Sequence, residues 1–229
     1  MGFGEIWRLI NPGERCLLCG RVLAGGADWD IKYPVGVCEG CRRWLGEHPY
    51  RSEAGQTAGL LGVMAAGPYQ ERLRLCLLLL KYGRRRDLAK PLGKLLAWAW
   101  AQRKPDFAPQ VVVPVPLHEK RLRLRGYNQS ELLARELARY FGWPVAVGAL
   151  RRIRETRAMH SLSAKERAEN LAGAIRSGAG AKALAGKRVL LVDDIITSGA
   201  TLRCCAAALR EAGCLDIYGA AVAGGAGQF

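Results

Sequence analysis

Residues 187–201, reading KRVLLVDDIITSGAT, restrict the fold more than any other part of the chain. The apolar run 189–192 has the length and continuity of a strand buried on both faces of a parallel sheet. Asp193 and Asp194 end that run, and Thr197, Ser198, Gly199, Ala200 and Thr201 follow. Residues 202–212 then read as a helix closed by Gly213. A strand, an acidic pair, a hydroxyl-and-glycine turn and a helix N-terminus describe an α/β fold, whose ligands sit beyond the carboxyl ends of the strands.

That order suits a phosphorylated sugar. Backbone N–H groups and the helix dipole at 197–201 favour a phosphate, Gly199 allows close backbone approach, and the two carboxylates can accept from neighbouring sugar hydroxyls. A plain strand-to-helix turn with acidic capping residues is the alternative. Against it, two carboxylates following an apolar strand are costly unless both have partners. The chain contains no Gly-x4-Gly-Lys-Ser/Thr, which excludes a Walker phosphate loop.

The chain has eight cysteines, and four are organised as Cys16-x2-Cys19 and Cys38-x2-Cys41 with eighteen residues between the pairs. Each tight turn places two thiolates on one edge of a tetrahedron, so the spacing reads as a closed, structural zinc site. Gly20 and Gly40 beside the knuckles are expected to supply positive φ. Cys76, Cys204, Cys205 and Cys214 lack metal spacing and read as core residues. So small a ribbon would draw much of its folding free energy from the metal. The expected division is a zinc ribbon over 1–55 and an α/β domain over 56–229. Trp29, Tyr33 and Trp44 read as the ribbon's own small core, with exposed partner-docking anchors as the alternative.

The formal charge is +15, and it is unevenly placed. Residues 72–157 carry 20 basic and 6 acidic side chains, net +14, whereas residues 1–50 are neutral. Long aliphatic segments share that stretch, so it is a folded surface rather than a basic arm, with a field suited to a phosphate-bearing ligand or nucleic acid. The longest aliphatic run, 75–80, is too short to cross a bilayer, and the first residues lack a signal-peptide core. A cytoplasmic protein without membrane insertion is expected.

Residues 111–115 read as a buried strand that stops at Pro114 and Pro116, where a loop begins. Lys120, Arg121, Arg123 and Arg125 follow with only Glu119 to offset them. Asn128 or Ser130 is expected to cap a helix over 131–141. Residues 73–80 and 88–100 repeat apolar residues at helical spacing, with Arg84, Arg85 and Arg86 between them; Trp98 and Trp100 read as packing. His118 and His48 have no evident partner in the sequence.

These residues resemble the phosphoribosyl-pyrophosphate (PRPP) motif of type I phosphoribosyltransferases, and the wider chain is similar to the ComF family (competence protein ComFC, GntX), in which a zinc ribbon precedes such a domain. The resemblance rests on the four cysteines, Lys81-Tyr82-Gly83, residues 113–118 (VPVPLH), Arg121, residues 125–130 (RGYNQS), Arg167-Ala-Glu-Asn170 and the Asp-Asp loop. It implies catalytic Asp193 and Asp194; a PRPP site formed by Thr197 to Thr201 with Pro116, Leu117, His118, Arg121 and Arg125; and Mg²⁺ bound with PRPP. It also implies a closing loop carrying Arg154, Arg157, His160 and Arg167; from the residues themselves, Ser163 and Glu166 read as a capping box that starts a helix carrying Arg167 and Asn170. Met159 stands where related sequences often carry Gln. The implied activity is transfer of phosphoribose to an unknown acceptor, linked to DNA uptake and natural transformation. The alternative is an accessory protein that binds PRPP and single-stranded DNA without turnover, with Arg84, Arg85 and Arg86 on the DNA. A competence helicase-like protein is a candidate partner of the ribbon.

Overall fold

A computed structural model describes residues 14–23, 36–47, 50–52, 59–103, 106–155 and 173–225. Its principal sheet has the strands β1 (Tyr50–Ser52), β2 (Gly62–Pro68), β3 (Val111–Pro114), β6 (Val189–Ile196) and β7 (Ile217–Gly224), arranged β1-β2-β7-β6-β3. The pairs β2–β7, β7–β6 and β6–β3 are parallel, and β1 is antiparallel to β2. A separate antiparallel hairpin joins β4 (Leu150–Arg152) to β5 (Ile175–Ser177).

Both faces of the sheet are covered, which explains why its central strands are apolar without alternation. Val112, Leu190, Val192, Tyr218, Ala220 and Val222 point to one face. There they pack beneath α2 (Glu71–Tyr82), α3 (Ala89–Arg103) and α5 (Gln129–Phe141). Val111, Val113, Val189, Leu191, Ile217 and Ala221 point to the other, beneath α6 (Ala200–Glu211) and the β4–β5 hairpin. Trp98 and Trp100 are buried, and the Trp100 ring meets Trp143 and Tyr218 edge-on, so both tryptophans are core.

The cysteine-rich segment belongs to the first of these cores. Cys16, Leu17, Val37 and Leu45 are buried together with Met64, Leu73 and Leu77, and Arg72 Nε donates to the Cys16 carbonyl at 3.1 Å. Two local expectations change here. Gly20 has φ +77°, but Gly40 lies inside helix α1 (Glu39–Glu47), and Gly36, at φ +94°, makes the second left-handed turn. Trp44 is 42% exposed rather than buried in a ribbon core. It directly precedes Leu45, the residue that α1 does bury. Trp29, Tyr33 and His48 lie outside the described residues.

Two elements near the sheet's carboxyl edge also differ from expectation. Strand β6 does not stop at Asp193 but continues to Ile196, because β7 keeps offering partners: Ile195 lies opposite Ala223 and Ile196 opposite Gly224. The basic segment after Pro116 is helical, α4 (Glu119–Arg125), not a loop. His118 provides the missing cap by accepting the Lys120 N–H on Nδ1 at 3.3 Å, and Gly126 ends the helix at φ +78°.

Candidate functional site

The acidic pair lies near the carboxyl edge of the sheet, where β6 runs between β3 and β7. Asp193 and Asp194 are only 8% and 3% exposed, and each has a different means of compensation. Asp193 Oδ1 accepts from Ser130 Oγ at 2.9 Å and from the Asp194 N–H at 2.8 Å. Ser130 is in the first turn of α5, so the carboxylate also meets the positive end of that helix dipole. Asn128 fixes this arrangement: its side chain caps Ser130 N at 3.1 Å while its amide donates to the Val115 carbonyl at 2.9 Å. Asp194 instead pairs with Lys81 Nζ, 2.7 Å from its Oδ2.

The ionisation of the pair follows from this packing. Burial, reinforced by the neighbouring Asp194 charge, pushes Asp193 up to about 7 despite the opposing pull of Lys81 and the hydrogen bonds. Burial acts on Lys81 in the opposite sense, but Asp194 overcomes it and holds the ammonium above its ordinary value. Lys81 was part of the resemblance without an assigned role. Burial of two carboxylates implies cationic partners, but nothing in the sequence marks a residue 113 positions upstream as one.

Beyond β6 the chain turns through Thr197 and Ser198 to Gly199, whose φ of +69° places it as the N-cap of α6. The turn is held by the Gly225 N–H, which donates to the Ile196 carbonyl at 2.8 Å, and by Arg203 Nη1, which donates to the Ser198 carbonyl at 2.7 Å. Ser198 Oγ is buried and has no hydrogen-bond partner among the described residues. Ala200 and Thr201 open α6. The turn therefore presents a hydroxyl, a helix N-terminus and a glycine beside the acidic pair, which is the chemistry a phosphate monoester on a sugar requires.

Pro116, Leu117 and His118 follow β3 through Val115, whose N–H still donates to the Val192 carbonyl at 2.9 Å, so they lie next to the acidic pair. Arg125 donates to Gln129 Oε1 and lies 5.4 Å from the Tyr82 ring centroid. Burial lowers its pKa, and the Asp194 charge partly counters that. Arg121 acts electrostatically on Arg152 of β4, which also experiences Asp193. Lys120 pairs with Glu155 at 3.1 Å and Arg151 with Glu119 at 3.4 Å, both exposed contacts that tie α4 to the end of β4. Arg154 is exposed on that same segment; Arg157, His160 and Arg167 lie outside the described residues.

The three consecutive arginines do not act alike. Arg85 is bound by both carboxylate oxygens of Asp87, at 2.8 and 2.6 Å. Arg86 donates to the Gly126 carbonyl and stacks 4.6 Å from the Tyr127 ring centroid. Arg84 and Arg86, with Arg123, Leu124, Arg125, Gly126 and Tyr127, line a hollow of about 310 Å³.

At the cysteines, all four sulfurs lie within 4.8 Å of one another, and the Cys19 and Cys38 sulfurs are 3.6 Å apart. A tetrahedral Zn–S bond of about 2.3 Å requires sulfur–sulfur edges of about 3.7 Å, so the set fits such an ion. The N–H groups of Leu18 and Cys38 both donate to Cys16 Sγ at 3.4 Å, which favours a thiolate there. Burial raises Cys16 and Cys41, whereas at Cys19 it is outweighed by hydrogen bonding from the Arg21 backbone and the neighbouring sulfurs, which bring that thiol down to about 7.

Comparison with known proteins shows what the chain is similar to. The family model for the phosphoribosyl transferase domain matches residues 128–227, from the α5 cap through β7. Competence protein F of Haemophilus influenzae is 30% identical over 200 residues, covering 80% of this chain and 87% of that protein. The chain belongs to the ComF family. The DNA utilization protein YhgH of Escherichia coli K12 is 36% identical over 126 residues, 54% of each chain. Among solved structures, the glutamine PRPP amidotransferase from B. subtilis complexed with ADP and GMP is 26% identical. It covers 63% of this chain and 30% of that one, at a TM-score of 0.41. ComF membership and the phosphoribosyl transferase domain agree with the α/β fold and the four-cysteine segment described above.

Proposed function

We propose that this chain binds PRPP and transfers its phosphoribosyl group to an acceptor, as a cytoplasmic protein acting in DNA uptake. The observation that carries this reading is the pairing of the buried Asp193–Asp194 carboxylates with the Ser198–Gly199 turn at the N-terminus of α6. The 5-phosphate would take the N–H groups of 197–201 and the Ser198 hydroxyl; the ribose hydroxyls would donate to Asp193 and Asp194. Arg121 and Arg125, with Pro116 to His118, would face the pyrophosphate, and Arg154, Arg157, His160 and Arg167 would close over it and exclude water. Asp193 and Asp194 are already engaged by Ser130 and Lys81, so these two do not form a free carboxylate cage, and Mg²⁺ would be held largely on the ligand's own oxygens. When bound, that ion supplies charge neutralisation to the leaving pyrophosphate. Zinc is the ion proposed for Cys16, Cys19, Cys38 and Cys41, in a ribbon over 1–55 followed by the transferase-like unit over 56–229.

Calorimetric titration with PRPP and Mg²⁺ tests the site. Asp193→Ala with Asp194→Ala should abolish measurable binding, and unchanged affinity would refute the assignment.

A second reading, single-stranded DNA binding without turnover, is favoured by the hollow lined by Arg84, Arg86, Arg123 and Arg125. The names of the relatives, competence protein F and DNA utilization protein, also support it. In this reading the ribbon is the surface proposed for a helicase-like partner. DNA affinity would fall steeply with salt, and Arg84→Gln with Arg86→Gln would flatten that dependence by up to about two phosphate contacts. Arg85→Gln should matter less, because Asp87 already occupies that guanidinium.

A further inference from the structure

Helices α3 and α5 run side by side in the same direction over the sheet, and their solvent side holds a second cationic hollow, separate from the acidic pair. Lys90 and Lys94 are one turn apart on α3; Arg139 and Tyr140 are adjacent on α5; together they line about 360 Å³. Lys94 is only 6% exposed, although its side chain reaches the hollow. Its ammonium nitrogen lies 5.8 Å from the Tyr140 ring centroid, and the Arg139 guanidinium lies 5.8 Å from that centroid too. Arg139 also pairs with Glu136 at 2.8 Å.

We propose that Lys94 is a nucleophilic lysine, acylated at Nζ by small acyl phosphates that dock in this hollow. Both requirements of the reaction are present in one place. The nucleophile must be a neutral amine, and a buried amine among like charges releases its proton readily. Burial comes first, Lys90 and Arg139 add to it, and Glu136 only partly opposes them, so Lys94 is brought down to about 8. The electrophile carries a phosphate, and the same Lys90 and Arg139 cations attract it. The neutral Nζ attacks the acyl carbon and a C–N bond forms. The C–O bond to phosphorus breaks, and inorganic phosphate leaves with the electron pair. The nitrogen then releases its extra proton to solvent, leaving an uncharged amide.

The test uses the full chain and acetyl phosphate at pH 7.5, with acetylation at each lysine followed by peptide mass spectrometry. Lys94 should react about tenfold faster than exposed Lys182 and Lys187, because its amine is brought down to about 8 and the cations of the hollow gather the phosphate beside it. Its rate should level off above pH 8. Lys90→Gln with Arg139→Gln should slow Lys94 several-fold, and inorganic phosphate should inhibit acetylation by acetyl phosphate but not by an uncharged active ester. Equal rates at Lys94, Lys182 and Lys187 would overturn the proposal. So would a Lys94 rate untouched by both the double substitution and phosphate.

Discussion

Asp193 and Asp194 are sequence neighbours with different electrostatic partners, and each supports a separate prediction. Asp194 is compensated by one ammonium, Lys81, across a contact in which the carboxylate is almost fully buried. Lys81→Met should leave that charge unpaired and lower stability by about 3 kcal/mol, read from the urea midpoint; Asp194→Asn in the same chain should restore much of it. A loss below about 0.5 kcal/mol would mean the pair is not coupled. Asp193 is raised from 3.8 to about 7, so the folded state binds a proton that the unfolded state has already released. Its contribution is complete below about pH 4 and lost as the pH climbs through 7. Asp193→Asn should therefore flatten the decline in stability over that window and leave the variant about 2 kcal/mol more stable than the parent at pH 8. Thermal unfolding across pH 4 to 8 would reveal it, and an unchanged slope would exclude Asp193 as the titrating group.

At the scale of elements, the α3–α5 contact depends on a missing side chain. A Cβ on Gly93 would lie 2.4 Å from Glu136 Cβ, closer than such atoms approach. Alanine is the better helix former by about 1 kcal/mol, but the forced separation of two packed helices outweighs that gain. Gly93→Ala should cost about 2 kcal/mol net, measured by chemical denaturation, and a stabilised variant would show that the helices can separate without loss. The same scale shows what was readable in advance. Helices over 71–82 and 89–103 announced themselves by apolar spacing, and β6 by its uninterrupted aliphatic run, because burial on two faces writes itself into composition. Helix α4 did not: its seven residues bury nothing, and its cap is a histidine whose role depends on one Nδ1 hydrogen bond. The end of β6 was equally hidden, since continuation to Ile196 is decided by β7, more than twenty residues away. At the candidate site the hydroxyls, the glycine and the carboxylates were legible as chemistry, while Lys81 and Ser130 became visible only when the sheet brought α2 and α5 to the edge of β6.

For the molecule as a whole, the cysteine segment and the sheet share one core. Leu17 and Leu45 are fully buried in the cluster that contains Met64, Leu73, Leu77 and Leu80, and strand β1 extends the sheet beside β2. Gly67 belongs to the same junction, because a Cβ there would meet Leu73 at 3.2 Å and Leu45 at 3.4 Å. A metal at Cys16, Cys19, Cys38 and Cys41 would consequently stabilise more than its own turns. Structural zinc contributes about 10 kcal/mol or more to isolated small domains, and losing even a third of that should lower the midpoint by on the order of 10 °C in a chain of this length. Removing the metal with a strong chelator should thus shift a single cooperative transition, and Cys38→Ser should reproduce the shift without further change on chelation. Leu45→Ala should move the same transition in the same direction by about 3 kcal/mol, since it empties the shared core from the cysteine side. Two resolved transitions, with the larger one unmoved by chelation, would instead mean that the ribbon and the sheet fold independently despite their common packing.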